Sequence, residues 1–280
     1  MAAGKAAVWI AQMASCEEKQ KNLSKARRMI GEAADGGAEL VLLPEFFNFL
    51  PAKMTREAYA GQAEGTGGET LAMVAEVARK RGISIIAGSM TESDGGRIYN
   101  TCYAVTPEGI VAKYRKTHLF SYGVINEAQI FSPGTSTAMA EVAGLKVGMT
   151  TCFDLRFPEL YRKATMEGAQ VITNVAAFLL ETGRAHWMTL LRARAIENQA
   201  CVIGVNRVGA DGHGVAHAGG SAALDALGRP LVELGNAPAL ETVMLDLGAL
   251  RELRQRFPAA LDADAFTLAP TGGPVAWSQP

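Results

Sequence analysis

The apolar and polar positions of the chain follow two alternating patterns. Short continuous apolar runs predict buried strands, and apolar residues spaced three and four positions apart predict helices that pack by one face. The first pattern predicts strands at residues 6–12, 39–43, 83–89, 99–106, 110–114, 145–151, 171–176, 201–206 and 242–247. The second pattern predicts helices at residues 22–34, 69–80, 158–167 and 185–198. Strands and helices in alternation are typical of an α/β protein.

Turn residues between neighbouring strands indicate that the sheets are mixed. Residues 107–109 separate two predicted strands, and residues 227–228 mark a second hairpin. A hairpin joins antiparallel strands, so these sheets are not purely parallel. No linker rich in Gly, Ser or Pro divides the chain, which predicts one domain over residues 1–256. Residues 257–280 are rich in Ala and Pro, and we expect them to form a C-terminal arm on the surface or on a partner subunit.

The composition limits the classes of protein that the chain can belong to. The 280 residues carry a formal net charge of −1 and no basic block, which argues against binding to nucleic-acid phosphates. The first apolar run is too short for a signal peptide, and no run is long enough to span a bilayer. The four cysteines are scattered, and the four histidines lack the spacing of metal ligands. We therefore expect a cytoplasmic protein without a metal or other cofactor and without nucleic-acid or membrane partners.

The segment LKVGMTTCFDLRFPEL at residues 145–160 contains a candidate nucleophile. An apolar strand ends on Cys152, and a helix start led by Pro158 follows at once. Such a turn lifts the sulfur out of the sheet and aims backbone N–H groups at whatever the sulfur attacks. A single cysteine is more often a small buried apolar residue than a nucleophile. The residues that surround Cys152 in the fold therefore decide its role.

Two charged residues follow other predicted strands. Glu45 ends the apolar run of VLLPEFF, and Lys116 lies in YRKTHLF after a hairpin strand. Sites in α/β sheets gather at the carboxyl ends of strands. A thiol with a pKa of ~8.5 is mostly protonated at neutral pH and needs a base or a cation beside it. Glu45 could move the proton, and Lys116 with the N–H of Phe153 could hold an oxyanion.

Each of these residues also has a structural interpretation. Glu45 could cap a helix, and Lys116 could be a solvated surface cation. Asp154 could pair with Arg156 or cap the helix that begins at Pro158. The two remaining expectations concern the core: Trp187 packs there, and Arg194 is paired with an acid such as Glu197.

Four segments in register resemble a known family. LPEFF around Glu45, YRKTHLF around Lys116 and TCFDLRFPEL around Cys152 are similar to the three signatures of the nitrilase superfamily of carbon–nitrogen hydrolases. The segment TGRAHWMTLLRARAIENQ at residues 182–199 resembles the branch that contains omega-amidase and deaminated-glutathione amidase. The resemblance extends over about residues 6–247, which is most of the chain.

The resemblance implies an architecture and further site residues. It implies a four-layer α-β-β-α sandwich with two mixed sheets, in a homodimer or a higher homo-oligomer. Glu45, Lys116 and Cys152 would act as the catalytic residues, and Glu127 in YGVINEAQIFSPG would hydrogen-bond the lysine and orient the substrate. In such amidases the arginine at the position of Arg156 contacts a substrate carboxylate. The other expected substrate-binding residues are Phe153, Phe178 and Thr182.

The expected reaction is the hydrolysis of a small linear amide that carries a carboxylate. It would yield an acid and ammonia through a thioester on Cys152, with the amide as the only partner besides further copies of the chain. Nitrile hydrolysis and N-carbamoyl cleavage could use the same residues. A non-catalytic binding or scaffolding member and an acyltransferase are the remaining alternatives.

Overall fold

A computed structural model describes residues 4–123, 125–211 and 214–259 of the chain. The elements of the first half are, in chain order, β1 (Lys5–Gln12), α1 (Lys19–Asp35), β2 (Leu40–Leu42), α2 (Arg56–Ala60), α3 (Glu69–Arg81), β3 (Ser84–Asp94), β4 (Arg97–Thr106), β5 (Gly109–Arg115), β6 (Ser121–Tyr122) and β7 (Ile125–Asn126). The second half contains β8 (Ala138–Val142), β9 (Leu145–Thr151), α4 (Pro158–Met166), β10 (Val171–Ala176), α5 (Leu180–Asn198), β11 (Cys201–Asn206), β12 (Val208–Ala210), β13 (Ala216–Ala218), β14 (Ala222–Leu224), β15 (Pro230–Glu233), β16 (Ala239–Asp246) and α6 (Leu247–Arg256). Two short 3₁₀-helices, Glu127–Gln129 and Cys152–Arg156, complete the described elements.

The strands form two large sheets of mixed direction. The first sheet has the order β16-β1-β2-β3-β4-β5, and the second has the order β15-β14-β11-β10-β9-β8. The central strands of each sheet are parallel, and the outer strands pair antiparallel, some through hairpins and β16 with β1 from the other end of the described chain. The predicted α/β class with mixed sheets is therefore confirmed.

The two faces of each sheet explain the layers. On β1, Val8 and Ile10 point into a core shared with the second sheet, while Trp9 and Ala11 contact α1 and α3. On β10, Val175 joins the shared core, and its neighbours on the opposite face contact α4 and α5. Since successive side chains of a strand point to opposite faces, each sheet is covered on both sides. The result is the predicted four-layer α-β-β-α sandwich.

A glycine lets α5 lie directly on the second sheet. A Cβ at Gly204 on β11 would be 2.6 Å from the ring of Trp187 and 2.7 Å from Leu191, so only glycine fits there. Trp187 is 3% exposed, and its Nε1 donates to the Gly220 carbonyl oxygen at 2.7 Å. The expectation that Trp187 packs in the core is confirmed. Arg194, also on α5, pairs with Glu197 Oε1 at 2.9 Å as expected.

Helix α5 begins earlier than the sequence pattern predicts. It starts at Leu180 rather than at residue 185, so Gly183 lies inside its first turn. A Cβ at Gly183 would be 2.5 Å from the Cβ of Ala218 on β13. Gly183 is therefore a contact point for strand β13, and Thr182 lies within the helix.

Two helices were not predicted from the sequence, and the predicted C-terminal arm is not tested by the structure. Helix α6 follows β16 without an intervening turn, and Asp246 Oδ1 caps it by accepting from Ala249 N at 2.9 Å. Helix α2 is too short to show a period. The predicted arm falls mostly on residues 260–280, which lie outside the described residues, so the division at residue 256 stays a prediction. None of the helices among the described residues has the length and apolar content that crossing a membrane requires.

Candidate active site

Cys152 lies where the buried strand β9 turns into a 3₁₀-helix. The residue has a φ of 48°, in the left-handed region that side chains other than glycine rarely adopt. This strained turn directs the thiol away from the sheet, and only 8% of the residue is exposed. The first N–H groups of a helix have no partner within it. The N–H of Phe153, next in the chain, is therefore a donor available at this turn.

The Asp154 carboxylate links the Cys152 turn by hydrogen bonds to the end of β5 and to the segment that follows it. Its carboxylate is fully buried and accepts from Thr151 N at 2.9 Å, Tyr114 Oη at 2.7 Å and His118 Nδ1 at 2.8 Å. It forms neither the expected ion pair with Arg156 nor the expected cap of α4. Both expectations were wrong, because tertiary contacts across the sandwich take up the carboxylate oxygens.

Glu45 follows strand β2 at a second strained turn. A Cβ at Gly88 on β3 would lie 2.1 Å from the Leu43 carbonyl oxygen, so the bare glycine lets this turn cross β3 closely. Phe46 then adopts a φ of 54°, and its N–H donates to Ser89 Oγ at 3.2 Å. No helix starts at this turn. The alternative of Glu45 as a helix-capping acid is therefore wrong.

Three donors orient the Glu45 carboxylate, which is 1% exposed. Lys116 Nζ and Asn100 Nδ2 lie 3.0 and 2.7 Å from Glu45 Oε1. The backbone N–H of Ala177 donates to the other oxygen, Oε2, at 2.6 Å. Because the donors come from β4, β5 and the loop after β10, both sheets hold this carboxylate in place.

Lys116 directly follows β5 and joins two buried carboxylates. Its Nζ is 3.0 Å from Glu45 Oε1 and 2.8 Å from Glu127 Oε2. Glu127 Oε2 also accepts from Phe120 N at 2.7 Å. Lys116 is 1% exposed and Glu127 is 4% exposed. The alternative of Lys116 as a solvated surface cation is therefore wrong, and Glu127 is buried with it.

This buried cluster has more acidic groups than basic ones. Burial opposes the charge of Lys116, but the carboxylates of Glu127 and Glu45 hold its pKa well above the ordinary value. Burial, followed by the charge of Glu45, raises the pKa of the Cys152 thiol well above its ordinary range, and Lys116 offsets only part of this. Burial also raises the pKa of Glu127. The thiol is therefore protonated near neutral pH.

A cleft around these residues has two chambers that meet at Cys152. We call the first the charged chamber, since it is lined by Glu45, Lys116, Glu127 and Cys152. We call the second the aromatic chamber, since Phe120 and two further phenylalanines line it. All the predicted substrate-binding residues line the aromatic chamber together with Cys152: Phe153, Arg156, Phe178 and Thr182. The structure thus brings the eight candidate residues into one cleft.

Arg156 is the charged residue of the aromatic chamber. Its guanidinium lies 5.7 Å from the ring centre of Phe153 and 5.2 Å from that of Phe178. Its Nη1 donates to His186 Nδ1 at 3.2 Å, and among the described residues no carboxylate forms an ion pair with it. Burial lowers the pKa of Arg156 below its ordinary value. The side chain offers a fork of N–H donors to an anion in the chamber.

Two contacts of the site were not predicted from the sequence. Asn100 lies within β4, where nothing in the local pattern separates it from other polar strand residues. Ala177 acts through its backbone N–H, for which the residue type gives no signal. Among residues 4–123, 125–211 and 214–259, no group of three His, Cys, Asp or Glu side chains is arranged to hold a metal ion.

Known proteins share this architecture. The model of the carbon–nitrogen hydrolase family matches residues 6–255. The chain is 36% identical over 258 residues to omega-amidase NIT2 of Mus musculus, across 89% of this chain and 92% of that protein. The structure of XC1258 from Xanthomonas campestris, a CN-hydrolase superfamily protein with an arsenic adduct in the active site, is 33% identical. It matches with a TM-score of 0.85 over 95% of this chain and 99% of that chain. Nit3 of Saccharomyces cerevisiae, from branch 10 of the nitrilase superfamily, is 26% identical with a TM-score of 0.85, over 93% and 97% of the two chains.

The chain belongs to the carbon–nitrogen hydrolase family. The resemblance inferred from the LPEFF, YRKTHLF and TCFDLRFPEL segments is thereby confirmed. The protein is thus an enzyme of the class that hydrolyses non-peptide carbon–nitrogen bonds.

Proposed function

We propose that the protein hydrolyses a small linear amide that carries a carboxylate, through a thioester on Cys152. One observation carries the proposal. Lys116 joins Glu45 and Glu127, at 3.0 and 2.8 Å, in the same buried chamber that Cys152 lines. A thiol, a carboxylate and an ammonium in one cleft supply a nucleophile, a proton carrier and an oxyanion partner.

The acylation step follows from the protonated resting state of the thiol. Glu45 accepts the proton of Cys152 as the sulfur forms a bond to the amide carbon. Negative charge then develops on the amide oxygen, where Lys116 Nζ and the Phe153 N–H stabilise it. The C–N bond breaks as Glu45 returns the proton to the leaving nitrogen, which departs as ammonia.

The deacylation step uses the same groups with water in place of the thiol. Glu45 takes a proton from water, whose oxygen attacks the thioester carbon. The C–S bond breaks, the proton passes from Glu45 to the sulfur, and the carboxylic acid is released. Glu127 holds Lys116 by its charge through both steps, since the two groups lie 2.8 Å apart.

Arg156 supports a carboxylate on the substrate. Its guanidinium faces the aromatic chamber without an ion-pair partner among the described residues. Removing a cation from water without an anion is unfavourable. A carboxylate on the substrate would supply the anion that the Arg156 guanidinium lacks. Phe153 and Phe178 would pack against the apolar chain between the carboxylate and the amide, and Thr182 would add a hydroxyl donor.

The test measures ammonia release from four substrates of matched length. These are a carboxylate-bearing ω-amide such as 2-oxoglutaramate, its neutral analogue without the carboxylate, a nitrile and an N-carbamoyl compound. We expect the anionic amide to have the highest kcat/KM and Cys152→Ala to release no ammonia. Preference for the nitrile or the N-carbamoyl compound would replace the proposal, and a wild-type protein inactive on all four would indicate a binding member of the family.

Arg156 provides the sharper test of the substrate class. Arg156→Met should raise KM for the anionic amide about 10- to 100-fold, because a hydrogen bond between charged groups is lost. It should leave kcat/KM for the neutral amide unchanged. Arg192→Met changes an exposed arginine of α5 and serves as the matched control. An equal effect of Arg156→Met on both amides would contradict the carboxylate-binding role.

We also propose that the protein acts in the cytoplasm as a homo-oligomer. Free thiols at all four cysteines support a reducing compartment. Large apolar side chains on α4, α5 and the turn after β14 support self-association, with Met166, Ile196 and Leu227 each at least 50% exposed. Light scattering of the purified protein at several concentrations tests the oligomer, and a concentration-independent monomer mass would exclude it.

A further inference from the structure

Asn100 touches both Glu45 and Lys116 from the middle of β4. Its side-chain Nδ2 donates to Glu45 Oε1 at 2.7 Å, and its backbone carbonyl oxygen accepts from Lys116 N at 2.9 Å. Asn100 is 1% exposed. Its Oδ1 is buried and has no hydrogen-bond partner. A buried polar atom without a partner is costly and rare in folded proteins. The hydrogen bond of Nδ2 to Glu45 must therefore offset the cost of the unpartnered Oδ1.

The two oxygens of Glu45 are not equivalent. A carboxylate oxygen has two lone pairs that can accept hydrogen bonds. Oε1 uses both, since it accepts from Lys116 Nζ at 3.0 Å and from Asn100 Nδ2 at 2.7 Å. Oε2 accepts from Ala177 N at 2.6 Å and retains one lone pair. Oε2 is therefore the oxygen that can still accept a proton, and its donor Ala177 lines both chambers together with Cys152.

We propose that Asn100 is a positioning residue. By occupying Oε1 of Glu45 with a hydrogen bond, it directs the proton of the Cys152 thiol to Oε2. The inference rests on the proposed function and adds to it the route of the proton. In acylation the S–H bond of Cys152 breaks, an O–H bond forms at Oε2, and the electron pair left on sulfur forms the bond to the amide carbon. As the C–N bond breaks, the same proton moves from Oε2 to the leaving nitrogen.

The orientation of the Asn100 amide follows from the same contact. A carboxylate oxygen can only accept, so Oδ1 facing Glu45 would bring two acceptors together. Nδ2 must therefore face Glu45, and Oδ1 is left without a partner. A donated hydrogen bond favours the ionised carboxylate over the acid.

Other charged and titratable groups face Glu45 and stay constant in the test. They come from five elements or loops around the cluster: Tyr59 of α2, Lys116 after β5, Glu127 and Cys152 of the 3₁₀-helices, and Arg207 after β11. None of them donates to Glu45 Oε1 except Lys116. The variants at Asn100 therefore change one donor in an otherwise fixed set of charges.

The test compares pH profiles of Asn100→Ala, Asn100→Ser and Asn198→Ala. Asn198 is a matched control, since it is fully buried, has an unpartnered Oδ1 and donates from Nδ2 to a carboxylate, Glu197 Oε1, at 3.3 Å. It lies on α5 outside the cleft. We expect both Asn100 variants to lose about 10- to 100-fold in kcat. The acidic limb of their kcat/KM profiles should move up by roughly one pH unit, while Asn198→Ala keeps the wild-type limb.

A second readout separates this inference from the proposed function. The rate at which 2-iodoethanol, a reagent without a carbonyl group, alkylates Cys152 is measured by peptide mass spectrometry across pH and needs no amide substrate. We expect its acidic limb to move up in the Asn100 variants even if the wild-type protein turns over no amide. Limbs that stay in place in both readouts would overturn the inference, as would an equal movement in Asn198→Ala. If both Asn100 variants fail to fold while Asn198→Ala folds, Asn100 serves the fold alone and the inference is wrong.

Discussion

Two ion clusters lie on opposite sides of the chain where β5 ends. One surrounds a carboxylate with cations, and the other surrounds a cation with carboxylates. The Glu92 cluster places one carboxylate against Lys113 Nζ at 2.7 Å and Arg115 Nε at 2.7 Å. The Lys116 cluster places one ammonium against the carboxylates of Glu45 and Glu127. Arg115 and Lys116 are adjacent in the chain, yet each belongs to a different cluster because successive residues face opposite sides.

The difference lies in how many partners of opposite charge each buried carboxylate has. Burial would raise the pKa of Glu92, but hydrogen bonds from Arg115, Lys113 and Thr101 lower it to about 2, so this group stays ionised. In the Lys116 cluster the acids outnumber the base, and the pKa values of Glu127 and Cys152 are raised. Two cations on one buried carboxylate keep it ionised, although Arg115 also pairs with the exposed Asp94. Two carboxylates and a thiol around one ammonium instead retain a proton within the cluster.

The largest expected effect separates the two adjacent cations. Lys116→Met should lower kcat by about 1000-fold, because the oxyanion loses its charged partner. Arg115→Met should leave kcat within about threefold and lower only stability. Steady-state ammonia release and thermal melting of both variants provide the measurement. A comparable loss of kcat in Arg115→Met would show that the distinction between the clusters is wrong.

The second-largest expected effect comes from replacing Glu127, the second carboxylate of the Lys116 cluster. The negative charge of Glu127 contributes to the raised pKa of the Cys152 thiol, so Glu127→Gln should lower that pKa. Alkylation of Cys152 near neutral pH should then become faster, while turnover falls about 10- to 100-fold. Glu92→Gln is the control and should leave the alkylation rate unchanged. Slower alkylation in Glu127→Gln would contradict the charge argument.

The smallest effect is on acid stability. The pKa of Glu92 is lowered from 4.5 to about 2 by its partners, so its contribution to folding is present above pH 4.5 and is lost as pH falls towards 2. Glu92→Gln should therefore flatten the fall of Tm over this window and destabilise the protein by about 1–3 kcal/mol at neutral pH. Glu76→Gln removes a half-buried carboxylate at the surface of α3, whose pKa is also lowered to about 2, and it should change Tm less because its ion pairs with Arg27 and Lys80 are exposed to water. An unchanged slope of Tm against pH in Glu92→Gln would refute the assignment.

The sequence predicts more of the fold than of the contacts within the site. Strands β9, β10 and β11 and helices α1, α3 and α4 follow from apolar periods. Helix α6 was missed because it continues β16 without a turn. Helix α5 was predicted to begin at residue 185, five residues too late, and Gly183 in its first turn packs against Ala218.

The candidate site shows the same limit. Glu45, Lys116 and Cys152 could be singled out because each follows a predicted strand, and sites gather at the carboxyl ends of strands. That they meet in one cleft depends on the stacking of the two sheets, since β2 and β5 belong to the first sheet and β9 to the second. Their catalytic roles stay proposals. The contacts of Asn100 and Asp154 could not be predicted, since each joins segments that are far apart in the chain. Asp154 Oδ2 accepts from Tyr114 Oη at 2.7 Å, a pairing that depends on how the two sheets stack.

Partitioning with hydroxylamine tests the central claim of a covalent intermediate most directly. Wild-type protein would be given a carboxylate-bearing primary amide and, separately, its N-methyl counterpart, each with the same concentration of hydroxylamine. If both acylate Cys152, one thioester is shared between water and hydroxylamine, and the ratio of hydroxamate to acid must be the same for the two substrates. Ratios that differ between them, or hydrolysis without any hydroxamate, would contradict the account.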